Sequence, residues 1–296
     1  MISICSIPYI IGIIIIIKYL LKIIDFILKH FLLRTNNLKE KYGDGFALIT
    51  GGSSGIGLSF AKELLKINYK ICLLSSNIKK LEKAQKELLA QYPKSTIKII
   101  EFDLSQFYNE ETIKNLEQKI NSEINGEEIS ILFNNAGVLY RGKFDSITDN
   151  NICHMINVNI FGLTILTKIV LDYMKKRTKK SLIVGSGSFD GQLRFTNRVV
   201  YGATKSYVEA FFEGLTRDFP NKIDFTLIEI GPVKTNMNKN DLPFTNSSDD
   251  FAKECIKLIG KYKFIQGSKK HVILRWLLSI PFVQYVSRII DLKSNK

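Results

Sequence analysis

A short apolar run, Phe46 to Ile49, meets the glycine-rich turn Gly51-Gly52-Ser53-Ser54-Gly55-Ile56-Gly57, which opens directly into the helical pattern Leu58 to Leu65. This is strand, turn and helix in immediate succession, and it points the chain toward an α/β architecture. Glycines let the backbone turn tightly and come close to a ligand. The N-terminus of the following helix offers unpaired N–H groups and a partial positive charge to a pyrophosphate. The spacing is G-x-x-x-G-x-G, not the G-x-G-x-x-G of the common dinucleotide fingerprint. By itself it fits a nucleotide site and an ordinary glycine turn equally.

Later apolar runs alternate with amphipathic stretches in the same rhythm. Ile129 to Phe133 reads as a buried strand ending in Asn134-Asn135-Ala136-Gly137, small and polar where a parallel strand delivers its chain to the ligand edge of a sheet. Ile156-Asn157-Val158-Asn159-Ile160-Phe161-Gly162 lies in a helical stretch, and the strand Leu182-Ile183-Val184 leads to Gly185-Ser186-Gly187-Ser188. Thirteen residues after Ser188 comes Tyr201-Gly202-Ala203-Thr204-Lys205. A Tyr and a Lys four apart share one helix face, and an ammonium beside a phenol lowers its pKa from about 10 toward neutrality. Such a pair is either a proton donor and acceptor for carbonyl/alcohol chemistry or a solvated helix face. A strand from Asp224 to Ile230 then runs into Gly231-Pro232-Val233-Lys234-Thr235.

In this order and spacing these segments resemble the short-chain dehydrogenase/reductase family, over roughly residues 45 to 240. The resemblance implies a doubly wound, mostly parallel sheet of the Rossmann type with helices on both faces. It implies that Tyr201 is the general acid/base, that Lys205 lowers its pKa and holds the cofactor ribose, that Ser188 orients the substrate carbonyl, and that Asn159 supports a proton-relay water. Ser186 is the alternative to Ser188, and the thirteen-residue offset favours Ser188. On the cofactor side, the resemblance implies that Gly51, Gly55 and Gly57 line the phosphates, with Ser53, Ser54 and Ile56 of the same turn also in contact. Asp103, beside Leu104, matches the adenine contact, and Asn135, Ala136 and Gly137 match the support of the adenosine half. Thr235, with Val233 near it, matches the contact to the nicotinamide carboxamide. The implied reaction moves a hydride from the nicotinamide to a carbonyl carbon while Tyr201 gives a proton to the oxygen.

Two departures from the family pattern stand out. The loop after the last of these strands reads Ile230-Gly231-Pro232 where many members carry Pro-Gly. After the strand Lys70 to Leu74 the chain reads Ser75-Ser76-Asn77-Ile78-Lys79-Lys80, without the acidic residue that would bond the ribose 2′-hydroxyl of NAD or the arginine that would pair with the 2′-phosphate of NADP. Two hydroxyls, no carboxylate and nearby lysines favour NADP(H) over NAD(H), with Ser76 the candidate contact. Lys79 and Lys80 read equally well as solvated residues of the next helix.

Residues Met1 to Ile17 carry no charged side chain, and an apolar pattern continues to Leu33 with Lys18, Lys22, Asp25 and Lys29 inserted on one stripe. This is expected to be a membrane anchor over residues 1–33, its later turns at the interface and its lysine-rich side facing the cytosol. A cleaved secretory signal would need a basic segment first and a small-x-small site after, and neither is present. A soluble helix covering the core is the other alternative. The polar stretch 34–44 reads as a linker, 45–240 as the cofactor-binding catalytic domain, and 241–296 as a substrate lid with a C-terminal apolar helical extension.

Within that last part, Asn238 to Asp250 is polar and is expected to form the mobile lid, and a helical pattern runs from Phe251 to Tyr262. His271 to Ile290 is apolar, interrupted by Arg275, Pro281 and Arg288, and fits a second membrane contact, an apolar mouth for a lipid substrate, or a dimer or core helix. Net charge is +14, with no Arg-rich or aromatic-interleaved motif for nucleic acid; a bias toward lysine or a surface suited to anionic headgroups and phosphates explains it. Cys5, Cys72, Cys153 and Cys255 show no metal-like spacing, so no metal site is expected, and His154 reads as a packed side chain.

The N-terminal apolar segment, Ile156 to Asn159, Ser186 to Ser188, Tyr201 to Lys205 and the apolar, basic tail together are similar to the membrane-bound steroid 17β-dehydrogenase and very-long-chain 3-oxoacyl-CoA reductase group. That resemblance implies NADPH-dependent reduction of a 3-oxoacyl-CoA at the endoplasmic reticulum in fatty-acid elongation, and a hydrophobic carbonyl substrate generally. A 3-ketosphinganine reductase is the close alternative and a steroid or retinoid dehydrogenase the third. A non-catalytic membrane scaffold of the same fold would have no need of Asn159, Ser188, Tyr201 and Lys205 together. Family members usually pair through the helices bearing Asn159 and Tyr201, which implies a homodimer.

Overall fold

The computed structural model describes residues 7–32, 37–106, 109–239 and 243–280. The chain divides into two compact units, residues 1–35 and 36–296. In the first, helix α1 (Ile7–Ile27) continues into one π-helical turn, Leu28–Leu32. Its isoleucines from Ile10 to Ile17 are exposed around the circumference, so among the described residues of this unit nothing covers them. Of the expected charged stripe, Lys29 pairs with Asp25 at 2.8 Å, one turn apart.

The second unit begins with α2 (Leu38–Tyr42) and the βα units β1 (Phe46–Thr50), α3 (Gly55–Lys66), β2 (Lys70–Ser75), α4 (Ile78–Gln91) and β3 (Ile97–Glu101). After α5 (Glu110–Ile124) the chain returns to the middle of the sheet as β4 (Ile129–Asn134). Helix α6 (Asp149–Ile156), a π-helical turn (Asn157–Gly162) and α7 (Leu163–Lys175) form one continuous rod leading to β5 (Ser181–Ser186). Then come α8 (Phe189–Leu193), α9 (Val199–Asp218), β6 (Ile223–Ile228), β7 (Val233–Lys234), β8 (Asn246–Ser247), α10 (Ser248–Cys255), β9 (Phe264–Ile265) and α11 (Lys269–Leu278).

Seven strands form one all-parallel sheet in the order β3-β2-β1-β4-β5-β6-β9. Both faces are covered, which is why the strands read as nearly unbroken apolar runs. Alternate residues of β1 serve opposite cores: Ala47 and Ile49 pack with Phe60, Leu64, Leu81 and Phe251, whereas Phe46 and Leu48 pack with Leu116, Ile120, Val170 and Phe212. Strand order reverses between β1 and β4, so a crevice lies beyond their C-terminal ends, where an open α/β sheet binds its ligand.

Several segments depart from expectation. Residues 38–42, inside the expected linker, form α2, because Leu38 and Tyr42 lie one turn apart and both bury completely. The Tyr42 hydroxyl donates to Asp224 at 2.8 Å, and Lys41 and Lys180 flank the same carboxylate. Tyr42→Phe should therefore cost about 1 kcal/mol of unfolding free energy, read as a lower midpoint in thermal denaturation.

Part of the expected lid forms regular structure: Asn246 and Ser247 pair with Val233 and Lys234, and Ser247 caps α10 by accepting from the Asp250 N–H at 3.1 Å, while residues 240–242 lie outside the described residues. Asp249 and Asp250 in the first turn suit the positive helix end. The helical pattern from Phe251 stops at Cys255, and turns lead to β9, which joins the main sheet. Of the apolar stretch 271–290, α11 takes the first part, and residues 281–290 lie outside the described residues. Among the described residues, the one helical stretch long and apolar enough to cross a membrane by length and composition is Asp149–Lys175, and more than half of its apolar window is buried inside the unit. Cys72 and Cys255 are buried free thiols and Cys153 is exposed, while Cys5 lies outside the described residues.

Candidate active site

The crevice at the β1/β4 reversal is built first from backbone. Gly51 (φ +63°) and Gly55 (φ +56°) adopt left-handed conformations that side chains disfavour. A Cβ on Gly57 would lie 2.5 Å from the Gly51 carbonyl oxygen and 2.7 Å from Asn135 Nδ2, so only glycine lets the turn close on itself. Ser54 is the N-cap of α3, yet its exposed side chain makes no capping bond and leaves the helix N-terminus open to an anion. Ser53 is turned away toward Ser75, 3.1 Å between hydroxyls.

Thr50, at the end of β1, pins the opposite wall. Its hydroxyl accepts from the N–H groups of Asn135 and Ala136, both at 2.9 Å, and Asn135 Nδ2 donates to the Thr50 carbonyl at 3.0 Å. Thr235 reaches the turn from the other side, its Cγ2 within 3.4 Å of a Cβ built on Gly55. Asp103 folds back on its own chain, accepting from the Ser105 N–H at 2.9 Å, next to buried Leu104. Ser76 is exposed after β2, where Asn77 caps α4 by accepting from the Lys80 N–H. A cradle of backbone N–H groups, a glycine close approach and a switch-point crevice together fit a dinucleotide.

Four side chains gather at the C-terminal edges of β4 and β5. Asn159 is buried in the π-helical turn between α6 and α7, a kind of helix irregularity frequent at functional sites. Its carboxamide clamps Val138, accepting from the N–H at 2.8 Å and donating to the carbonyl at 2.9 Å, and also donates to Thr204 at 3.1 Å. Ser188, Tyr201 and Lys205 are each no more than 9% exposed. Ser188 caps α8, and Tyr201 and Lys205 share a face of α9 with the ammonium 5.6 Å from the phenol ring centroid. Ser186 contributes its backbone carbonyl, which accepts from Lys205 Nζ at 2.8 Å, while Ser188 presents its hydroxyl beside Asp190.

The electrostatics differ from the expected lysine effect. Burial pushes the Tyr201 phenol up to about 12, the Asp190 carboxylate adds to this, and the Ser188 hydrogen bond with Arg198 and Arg141 opposes it. Burial likewise pushes Lys205 down to about 8. The Lys205 ammonium donates to the Ser186 carbonyl at 2.8 Å and lies 5.6 Å from the phenol ring centroid. The phenol thus holds its proton at neutral pH and is a donor, the form that a reduction requires.

Three residues of the site went unnoticed in the sequence. Asp190, 5% exposed, accepts from the Ser188 hydroxyl at 3.2 Å and from Arg198 Nη1 at 3.2 and 3.3 Å. Arg198 and Thr204, each three residues from Tyr201, complete the set; spacing of one turn from a known helix residue was the only available signal. A cavity of about 380 Å³ opens beside these groups, its walls including Phe189, Phe195, Met237, Leu274 and Leu278. His154 lies behind it, its Nδ1 2.8 Å from the Tyr140 hydroxyl.

Comparisons with known proteins agree with this geometry. Residues 45–245 match the family model described as short chain dehydrogenase. The chain is 31% identical over 79% of its length to the very-long-chain 3-oxoacyl-CoA reductase of Macaca fascicularis, covering 74% of it. It is 31% identical over 85% of its length to a Caenorhabditis elegans protein named "Putative steroid dehydrogenase 1", covering 84% of that chain. Among solved structures, a short-chain dehydrogenase from Sphingobium yanoikuyae in complex with NADPH aligns with a TM-score of 0.66 at 24% identity, over 78% of this chain and 91% of that one. The switch-point cradle, the Ser188, Tyr201 and Lys205 cluster and the match over 45–245 make the chain a member of the short-chain dehydrogenase/reductase family, an oxidoreductase.

Proposed function

We propose that the protein is a membrane-anchored, NADPH-dependent carbonyl reductase that converts a 3-oxoacyl-CoA to the 3-hydroxyacyl-CoA in fatty-acid elongation. The observation that carries this reading is the cavity beside Tyr201, walled by Phe189, Phe195, Leu274 and Leu278, which suits a long apolar chain ending in a ketone. The named activity of the macaque relative gives the substrate class. When bound, the nicotinamide supplies the hydride. Tyr201 gives its proton to the carbonyl oxygen, Ser188 donates a hydrogen bond to the same oxygen, and Asn159 holds the Val138 backbone in place beside them. In this reading Lys205 would hold the ribose hydroxyls of the bound cofactor.

Helix α1 supports the anchor. Its exposed isoleucines need an apolar solvent, and the inserted Lys18 and Lys22 suit headgroups, so its later turns would lie at the membrane interface. The lysine excess toward its C-terminal end favours a catalytic domain on the cytosolic side, at the endoplasmic reticulum. NADPH rather than NADH is favoured by the lack of a carboxylate in Ser75-Ser76-Asn77, and the Sphingobium yanoikuyae neighbour carries NADPH. Ser76→Asp should reverse this preference, lowering kcat/KM with NADPH about tenfold or more by repulsion of the 2′-phosphate, measured against NADH in parallel.

A second reading, reduction of 3-ketosphinganine, fits the glycine turn Thr50 to Gly57 equally well. NADPH oxidation by the detergent-solubilised protein with a long-chain 3-oxoacyl-CoA and, separately, with 3-ketosphinganine decides between them. Turnover of the sphingoid ketone alone would overturn the elongation reading.

A further inference from the structure

The loop after β6, Ile230 to Pro232, leads into Val233 and Thr235 and thus determines where these two residues stand. Its sequence departs from the family pattern, and its path is held from outside the dinucleotide fold by α11. His271, in the first turn of α11, is fully buried. The Gly231 N–H donates to its Nδ1 at 3.2 Å, and its Nε2 lies 3.0 Å from the Pro232 carbonyl oxygen. An Nδ1 that accepts puts the proton on Nε2, which then donates to Pro232. Burial pushes the imidazole down to about 4, so the ring stays neutral and keeps this tautomer at physiological pH.

The ring has little freedom to move. It packs 5.7 Å from Phe189 and 5.3 Å from Phe251, centroid to centroid. A Cβ on Gly231 would come within 2.9 Å of the imidazole, and one on Gly267 (φ +60°) within 2.8 Å of Nδ1. One turn on, Arg275 on the same face donates to buried Glu229 just after β6 at 3.2 Å and to Gln192 of α8 at 2.6 Å. The inner face of α11 therefore grips both the β6 loop and the helix that Ser188 caps.

We propose that His271 is the positioning residue of the nicotinamide loop: its two bonds to the backbone of Gly231 and Pro232 place Val233 and Thr235 against the dinucleotide. The inference rests on the NADPH reading above. Full-length protein in detergent, wild type, His271→Leu and His271→Gln, is titrated with NADPH and with 2′,5′-ADP, which occupies only the adenosine half. A glutamine carboxamide offers an acceptor and a donor on neighbouring atoms, as the imidazole does; leucine offers neither.

The Leu variant should bind NADPH about tenfold more weakly while keeping its 2′,5′-ADP affinity, and the Gln variant should recover most of the loss. A Leu variant that binds NADPH like wild type, one that loses both ligands equally, or a Gln variant as weak as Leu would each overturn the assignment. Were the wild type to take NADH and not NADPH, the cofactor reading would fall. The same contrast read with NADH and 5′-AMP would still decide on His271.

Discussion

Tyr201→Phe is expected to lower kcat by about 10²- to 10⁴-fold while leaving NADPH affinity within about twofold of wild type. The ring belongs to a small apolar cluster with Ile147, Met155 and Val200, so phenylalanine keeps the packing and only the hydroxyl is lost. That hydroxyl is the buried donor whose proton is held by burial and by Asp190. Ser188 cannot replace it, because a serine hydroxyl is a far weaker acid than a phenol. Single-turnover NADPH oxidation with a 3-oxoacyl-CoA, alongside fluorescence titration of the cofactor, measures both quantities. Retention of a tenth or more of the wild-type rate would remove Tyr201 from the role of proton donor, and unchanged biological activity would favour a scaffold.

Gly57→Ala should abolish measurable cofactor binding, an effect of about 100-fold or more. Most added methyl groups meet a side chain that can step aside. This one meets the Gly51 carbonyl at 2.5 Å and Asn135 Nδ2 at 2.7 Å, and Asn135 is itself tied to Thr50. Relief requires the turn after β1 to move away from the N-terminus of α3, which separates the N–H groups that together cradle the phosphates. Gly214→Ala is the matched control, since nothing lies within 4 Å of the added atom. Calorimetric titration of both variants with NADPH tests the contrast, and a Gly57→Ala variant with near-normal affinity would contradict this account of the turn.

The sheet and the catalytic cluster were legible because each rests on local pattern. Strands buried on both faces write themselves as apolar runs, and Tyr201 and Lys205 lie one turn apart whatever surrounds them. What stayed hidden depends on long-range packing. Leu38 and Tyr42 sit in a polar stretch, and their burial rests on distant partners: the apolar core both join and, for Tyr42, Asp224, 182 residues on. Strand β9 has two residues, too few for any periodicity. The Tyr201 phenol was expected near neutrality from its lysine neighbour, yet burial dominates, and burial is a property of the folded surroundings. His271 drew no attention since no other histidine or cysteine stands near it in sequence, and its partners are backbone atoms.

The dependence of the β6 loop on α11 also has a consequence for biosynthesis. Residues 264–275 follow every family motif in the chain, so each motif has left the ribosome before the strap that holds Gly231 and Pro232 exists. A nascent chain, or one truncated after Cys255, would carry all of the recognisable catalytic sequence while its seventh strand and its loop clamp were missing. On the proposed role of His271, about the last tenfold of the hold on a dinucleotide thus comes only after those motifs are made.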